Sequence, residues 1–134
     1  IKFRVWDKRK NSCLKPKGTY LQFIGFEDYF SFYPEANKHP KDKEGLADSI
    51  IIQQFTGLLD KNGKEIYEGD IMFLDSRDGP KGPWTLFWED DYGRYSIKSK
   101  SGNIAMFAPY KGNEHVPSSW IIKGNIFENP DLLN

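Results

Sequence analysis

Residues 54–73 read QFTGLLDKNGKEIYEGDIMF, three apolar stretches separated by turn-forming residues at Asp60–Lys64 and Glu68–Asp70. Asn62-Gly63 can take up positive φ at low cost, as a tight hairpin connection requires. Gly69 permits a kink or bulge before Ile71–Leu74 resumes as extended chain. The stretch therefore predicts strand, turn, strand, turn, strand. Upstream, Ser49–Phe55 (SIIIQQF) has the β-branched and aromatic profile of a strand. Downstream, Trp84–Trp88 (WTLFW) and Arg94–Lys98 (RYSIK) flank the acidic turn Glu89–Gly93. Ser101–Asn103 turns into Ile104–Phe107, and Trp120–Phe127 (WIIKGNIF) supplies the last strand. Asp75–Pro83 holds two glycines and two prolines and is expected not to continue a central strand.

The N-terminal third follows the same logic less regularly. Ile1–Trp6 (IKFRVW) alternates, with Ile1, Phe3 and Val5 on one side and Lys2 and Arg4 on the other, the pattern of a half-buried strand. Ser12–Leu14 returns after the polar turn Asp7–Asn11, and Pro16–Gly18 breaks the pattern. Thr19–Tyr33 is dense in aromatics and reads as strand ahead of helix, because Gly25 weakens a helix by about 1 kcal/mol relative to alanine. Pro34–Gly45 reads as a surface loop. The expected fold is mainly β with little helix. A single domain, 1–134, with sub-lobes 1–45 and 46–134, would pack an N-terminal hairpin lobe on a small SH3-like barrel formed mainly by Ser49–Phe127.

Composition supports that class. A chain of 134 residues can bury a core without staples, and an aromatic content of 16% favours strands. One cysteine, Cys13, excludes an internal disulfide framework. No apolar run has the roughly 20 residues that span a bilayer and no signal-peptide pattern opens the chain, so a soluble cytoplasmic protein without membrane partners is expected. The net charge of +0 argues against a simple phosphate-neutralising protein. The charge is nevertheless uneven: Lys2, Arg4, Lys8, Arg9, Lys10, Lys15 and Lys17 face only Asp7 within Ile1–Gly18.

Constellations with chemistry are few. Glu89-Asp90-Asp91 sits in a strand-connecting turn whose carboxylates diverge, which fits solvation better than a metal. Glu68 and Asp70 could form a carboxylate pair for acid–base work on one hairpin, although Asp70 reads more simply as a turn residue that accepts from nearby backbone N–H groups. His39, His115 and Cys13 have no ligand or nucleophile partners at useful spacing. No phosphate-binding glycine loop, nucleophile elbow or zinc-ligand set is present, so no enzyme activity and no cofactor are expected.

The segments Gln54–Leu58, Asp60–Asp70 and Gly124–Ile126 with Glu128–Pro130 resemble the YopX family, small proteins encoded largely by phages and prophages. Lys2–Arg4 with Trp6-Asp7 resembles that family's opening, and Trp88-Glu89 with Tyr92-Gly93 its central strand and turn. The resemblance implies a β-rich fold, plausible self-assembly and a host cytoplasm, and it brings no catalytic residues.

The functional expectation is a non-catalytic interaction module that self-assembles or binds a protein partner. The alternative is a nucleic-acid-binding module using Lys2, Arg4, Lys8, Arg9 and Lys10 with Trp6 as a stacking partner. Asn62, Gly63, Gly69 and Asp70 form the turn signature and are expected to be scaffold.

Overall fold

The computed structural model describes residues 2–14, 20–23, 30–33, 50–107 and 119–134, and their regular structure is almost all strand. In chain order they are β1 (Phe3–Asp7), β2 (Ser12–Leu14), β3 (Tyr20–Phe23), β4 (Phe30–Tyr33), β5 (Ile50–Leu59), β6 (Glu65–Tyr67), β7 (Asp70–Leu74), β8 (Lys81–Glu89), β9 (Arg94–Ser99), β10 (Ile104–Met106) and β11 (Trp120–Asn125). Single 3-10 turns follow β8 at Asp90–Tyr92 and β11 at Pro130–Leu133. The mainly β expectation holds. Among the described residues no helix is long and apolar enough to cross a membrane.

The chain divides into two compact units, Ile1–Arg4 with Ile52–Asn134 and Val5–Ile51. The larger is built on a five-stranded antiparallel sheet of order β10-β9-β8-β7-β11. Its densest pairing is β8 with β9, which keeps one register from Trp84↔Ser99 to Glu89↔Arg94. Alternation then sends Leu86 and its partner Ile97 inward, and with Ile66, Met72, Phe107 and Ile122 they form the core. Trp84, Tyr95 and Trp120 close over it, Trp84 and Trp120 meeting edge to face at 6.5 Å. The remaining strands of this unit follow the order β1-β5-β6, and the Phe55 N–H donates to the Lys2 carbonyl at 2.9 Å.

In the smaller unit, β1 continues from Val5 and pairs with β2 in the register Val5↔Leu14, Trp6↔Cys13 and Asp7↔Ser12. Here the simple alternation ends, because Val5, Trp6 and Asp7 are buried in succession. The aromatic stretch contributes a second antiparallel pair, β3 with β4, running from Tyr20↔Tyr33 to Phe23↔Phe30. The loop expected at Pro34–Gly45 lies outside the described residues.

Two local expectations need correction. Strand β8 begins at Lys81, so Gly82 and Pro83 lie inside it. Its register with β7 shifts between Met72 and Leu74, which places the proline where regular pairing is interrupted. Gly82 is required there by space, since a Cβ would stand 2.9 Å from the Phe73 ring and 3.0 Å from the Met72 carbonyl oxygen. The second correction concerns Asn62-Gly63. Only Gly63 adopts positive φ, at 79°, so the connection is not the tight two-residue turn the dipeptide predicts. The five-residue loop is organised by Asp60 instead.

Candidate functional site

The signature Glu65–Asp70 forms a polar centre in the larger unit. Gly69 sits at φ 78°, and a Cβ there would lie 2.3 Å from the Gln53 amide nitrogen, so both the conformation and the space demand glycine. Its N–H donates to the Leu86 carbonyl at 2.8 Å, and its carbonyl accepts from the Ile126 N–H at 2.9 Å. The turn is thereby tied to the core hairpin and to the tail following β11.

Asp70 is 1% exposed. Its Oδ2 accepts from the Tyr67 N–H at 2.9 Å and its Oδ1 from Arg4 Nη2 at 2.8 Å. Arg4 is held from three further sides. Its Nε donates to Gln53 Oε1 at 2.8 Å, its Nη2 also reaches the Glu68 carbonyl at 3.4 Å, and its guanidinium lies 4.7 Å from the Tyr67 ring centre. Burial pushes the Asp70 carboxyl above its ordinary range, while Arg4 and the Tyr67 N–H pull it back. The Tyr67 hydroxyl donates to Glu65 Oε2 at 2.8 Å, and burial together with that carboxylate pushes its pKa up to about 12. Glu65 also pairs with Lys2; the Lys2 and Tyr67 bonds hold its carboxyl below the ordinary range.

Glu68 faces elsewhere. Its Oε2 accepts from the Gln54 N–H at 3.0 Å. The two carboxylates flanking Gly69 thus accept different hydrogen bonds, Asp70 from Arg4 and the Tyr67 N–H and Glu68 from the Gln54 N–H.

The other sequence-derived contact residues are dispersed. Lys2 and Arg4 are engaged as described. In the smaller unit Trp6 is 2% exposed, which removes it as an open stacking platform. Arg9 donates from its backbone N–H and from Nε to Asp7 Oδ1, at 2.9 and 3.3 Å. Burial raises the Asp7 carboxyl, but the bonds to Arg9 and to the Lys10 backbone outweigh it and leave the carboxyl below its ordinary range. Lys8 and Lys10 are exposed on the β1–β2 turn, where Asn11 takes φ 48°.

In the acidic turn, Glu89 accepts from the Ser96 hydroxyl at 2.6 Å and from Arg94 Nε at 3.1 Å, which hold its carboxyl below the ordinary range. Among the described residues no group of three His, Cys, Asp or Glu side chains could hold a metal ion. Cys13 is half-buried and in no disulfide, and His39 and His115 lie outside the described residues.

Sequence reasoning missed Asp60. It is 4% exposed, and its carboxylate accepts three backbone N–H groups: Asn62 at 2.9 Å, Lys64 at 2.8 Å and Ile122 at 3.1 Å. Asp60 therefore both shapes the β5–β6 loop and fastens it to β11. The signal was an aspartate two residues ahead of Asn62-Gly63, the spacing at which Asp bonds its own backbone two residues on.

Leu59, 50% exposed, adjoins Asp60 and pairs with Glu65, whereas other exposed apolar side chains lie apart from these centres. Strand β10 is an edge of the five-stranded sheet, and all three of its residues are exposed, Ile104 at 52% and Met106 at 56%. Trp88 at 43% and Tyr92 at 68% stand at the β8–β9 turn, where the Arg94 guanidinium covers the Tyr92 ring at 4.6 Å.

The model of the YopX protein family matches residues 2–134. Among solved structures, the crystal structure of protein EF1440 from Enterococcus faecalis superposes with a TM-score of 0.65 at 24% identity, over 99% of this chain and 97% of that one. That likeness shows the fold. No curated protein matches the chain.

Proposed function

The chain belongs to the YopX family, and on that premise we propose that it is a non-catalytic interaction module that assembles with itself or with a protein partner through the edge strand β10. The observation that carries this reading is β10 itself. It pairs with β9 through Ile104↔Lys98, Ala105↔Ile97 and Met106↔Ser96, and it presents two large apolar side chains to solvent at the limit of the sheet. An exposed apolar edge strand offers backbone donors and acceptors to another chain, and natural sheets usually blunt such edges with charge or proline. Neither occurs within Ile104–Met106. The setting that goes with this reading is the cytoplasm of a host cell carrying a phage or prophage.

The test is the mass in solution of the purified chain and of Ile104→Lys/Met106→Lys, measured by light scattering across a concentration series. Assembly in the parent and a monomer in the variant support the reading. For a parent that is monomeric throughout, affinity capture from prophage-carrying cells after nuclease treatment decides: a protein retained by the parent and lost with the variant supports the partner form. A parent assembly unaffected by both lysines, or capture unaffected by them, overturns the use of β10.

A further inference from the structure

A second surface lies at the opposite end of the β8–β9 hairpin from Trp88. There the start of β8 and the β9–β10 turn enclose an open depression of about 550 Å³, lined by Lys81, Gly82, Pro83, Trp84, Ser99, Lys100 and Ser101. The register explains why they meet, because Trp84 pairs with Ser99 across the two strands. The turn is held in place by the Gly102 N–H donating to the Ser99 carbonyl at 3.0 Å and the Ser99 N–H donating to the Asn103 carbonyl at 2.8 Å.

Three properties of the depression point to one ligand chemistry. Its lining is mainly apolar and includes Pro83 and the half-buried Trp84, whose ring meets Trp120 edge to face. Among the described residues its lining includes two lysines, Lys81 and Lys100, and no acidic residue. The Ser99 and Ser101 hydroxyls, 2.9 Å apart beside Lys100, also accept from the Asn103 backbone N–H and side-chain amide at 3.0 and 3.2 Å. Lys81 Nζ lies 3.8 Å from Asp78, which is itself 85% exposed. An ion pair that open is worth little and exchanges readily for another anion.

We propose that this depression binds a nucleoside phosphate, with the base stacked on Trp84 and Pro83 and phosphate between Lys81 and Lys100. Aromatic surfaces flanked by cations are how proteins hold single nucleotides of a strand without reading sequence. The same chemistry is offered by a free nucleotide and by a nucleotide of a single strand. Two cations imply neutralisation of about two phosphates on a strand, hence a slope of about −1.4 in log K against log salt, or about sevenfold weaker binding between 50 and 200 mM salt. This site is independent of the β10 reading, since it uses none of the β10 residues.

The experiment is two-dimensional NMR of the labelled chain titrated with adenosine monophosphate, with a short oligothymidylate and with adenosine, repeated on Lys81→Gln/Lys100→Gln. Both substitutions are at exposed lysines and preserve the fold, which the spectrum itself reports. Saturable shifts at Trp84, Lys81 and Ser99–Ser101, weakened at least tenfold in the variant and weaker for adenosine, support the site. Binding by the mononucleotide identifies a free nucleotide as sufficient, and binding by the oligomer alone identifies a strand. No saturable shift with either phosphate compound, shifts centred on the Lys8–Lys10 turn, or binding unchanged in the variant overturns it.

Discussion

The Glu65–Asp70 turn and the Ser99–Ser101 turn connect strands in the same compact unit, yet they are built on opposite terms. At the first, Arg4 donates to both Asp70 and Gln53, and a Cβ on Gly69 would meet the Gln53 amide nitrogen and the Ile126 side chain. At the second, Lys100 and Ser101 face solvent and a Cβ on Gly102 would meet nothing. Both carry the turn residues and charge that a sequence search for function would stop at. The difference teaches that a recognisable motif marks where the backbone is constrained, whereas the side chains left available for a ligand or partner lie where constraint is low.

The sharpest way to break that comparison is Arg4→Ala. It strands a carboxylate that is 1% exposed, and the expected loss is about 3–5 kcal/mol, read as the urea midpoint of unfolding. The paired replacement Arg4→Met/Asp70→Leu should recover part of that loss, because no buried charge is then left unpaired. A loss under about 1 kcal/mol for Arg4→Ala would show that the centre is not the stabilising element described.

Next in size is a matched pair of alanines. Gly69 and Gly63 have almost the same φ, 78° and 79°, but only Gly69 has neighbours within 4 Å of a Cβ. Gly63→Ala should cost about 1 kcal/mol from backbone strain alone, and Gly69→Ala about 2–4 kcal/mol in the same assay, strain and clash together. Equal costs would mean that the crowding around Gly69 relaxes freely.

The titratable groups of the centre sharpen the contrast through pH. Tyr67 is raised from 10.0 to about 12 in the folded chain, so the folded state binds the extra proton between those values. Its contribution is whole below pH 10 and is lost as pH rises towards 12. Tyr67→Phe should flatten that alkaline fall in thermal stability. Glu65 and Glu89 are lowered from 4.5, so their contributions are present above that value and are lost as pH falls below it.

The smallest stability effects belong to the open surfaces. Ile104→Lys/Met106→Lys and Lys81→Gln/Lys100→Gln should each shift unfolding by no more than about 0.5 kcal/mol per site, while abolishing assembly and nucleotide binding respectively. A large stability loss in either variant would place those residues in the scaffold and erase the distinction between the two turns.

Much of the β architecture was legible because period-two alternation and turn residues act locally. Trp84–Trp88 and Arg94–Lys98 were visible as a hairpin from their alternation and the Glu89–Gly93 turn between them. Pro83 misled, since a missing N–H forbids only regular pairing, and the register shift opposite Met72–Leu74 removes that requirement. Asn62-Gly63 misled because a buried acceptor two residues earlier can set a longer loop. Arg4 and Trp6 looked available because charge and alternation describe a strand's two faces without saying which of them will be covered.

By itself the sequence determined the class of fold, the position of most strands, a turn at Gly69 and membership of the family, all of which depend on neighbours along the chain. Only the tertiary structure decided that Asp60, 62 residues from Ile122, would fasten a loop to the last strand, that Arg4 would be consumed by Asp70, and that Lys81 and Lys100 would flank one tryptophan. Those outcomes depend on register between strands distant in sequence, and register is set by the burial of a shared core, which no single segment encodes.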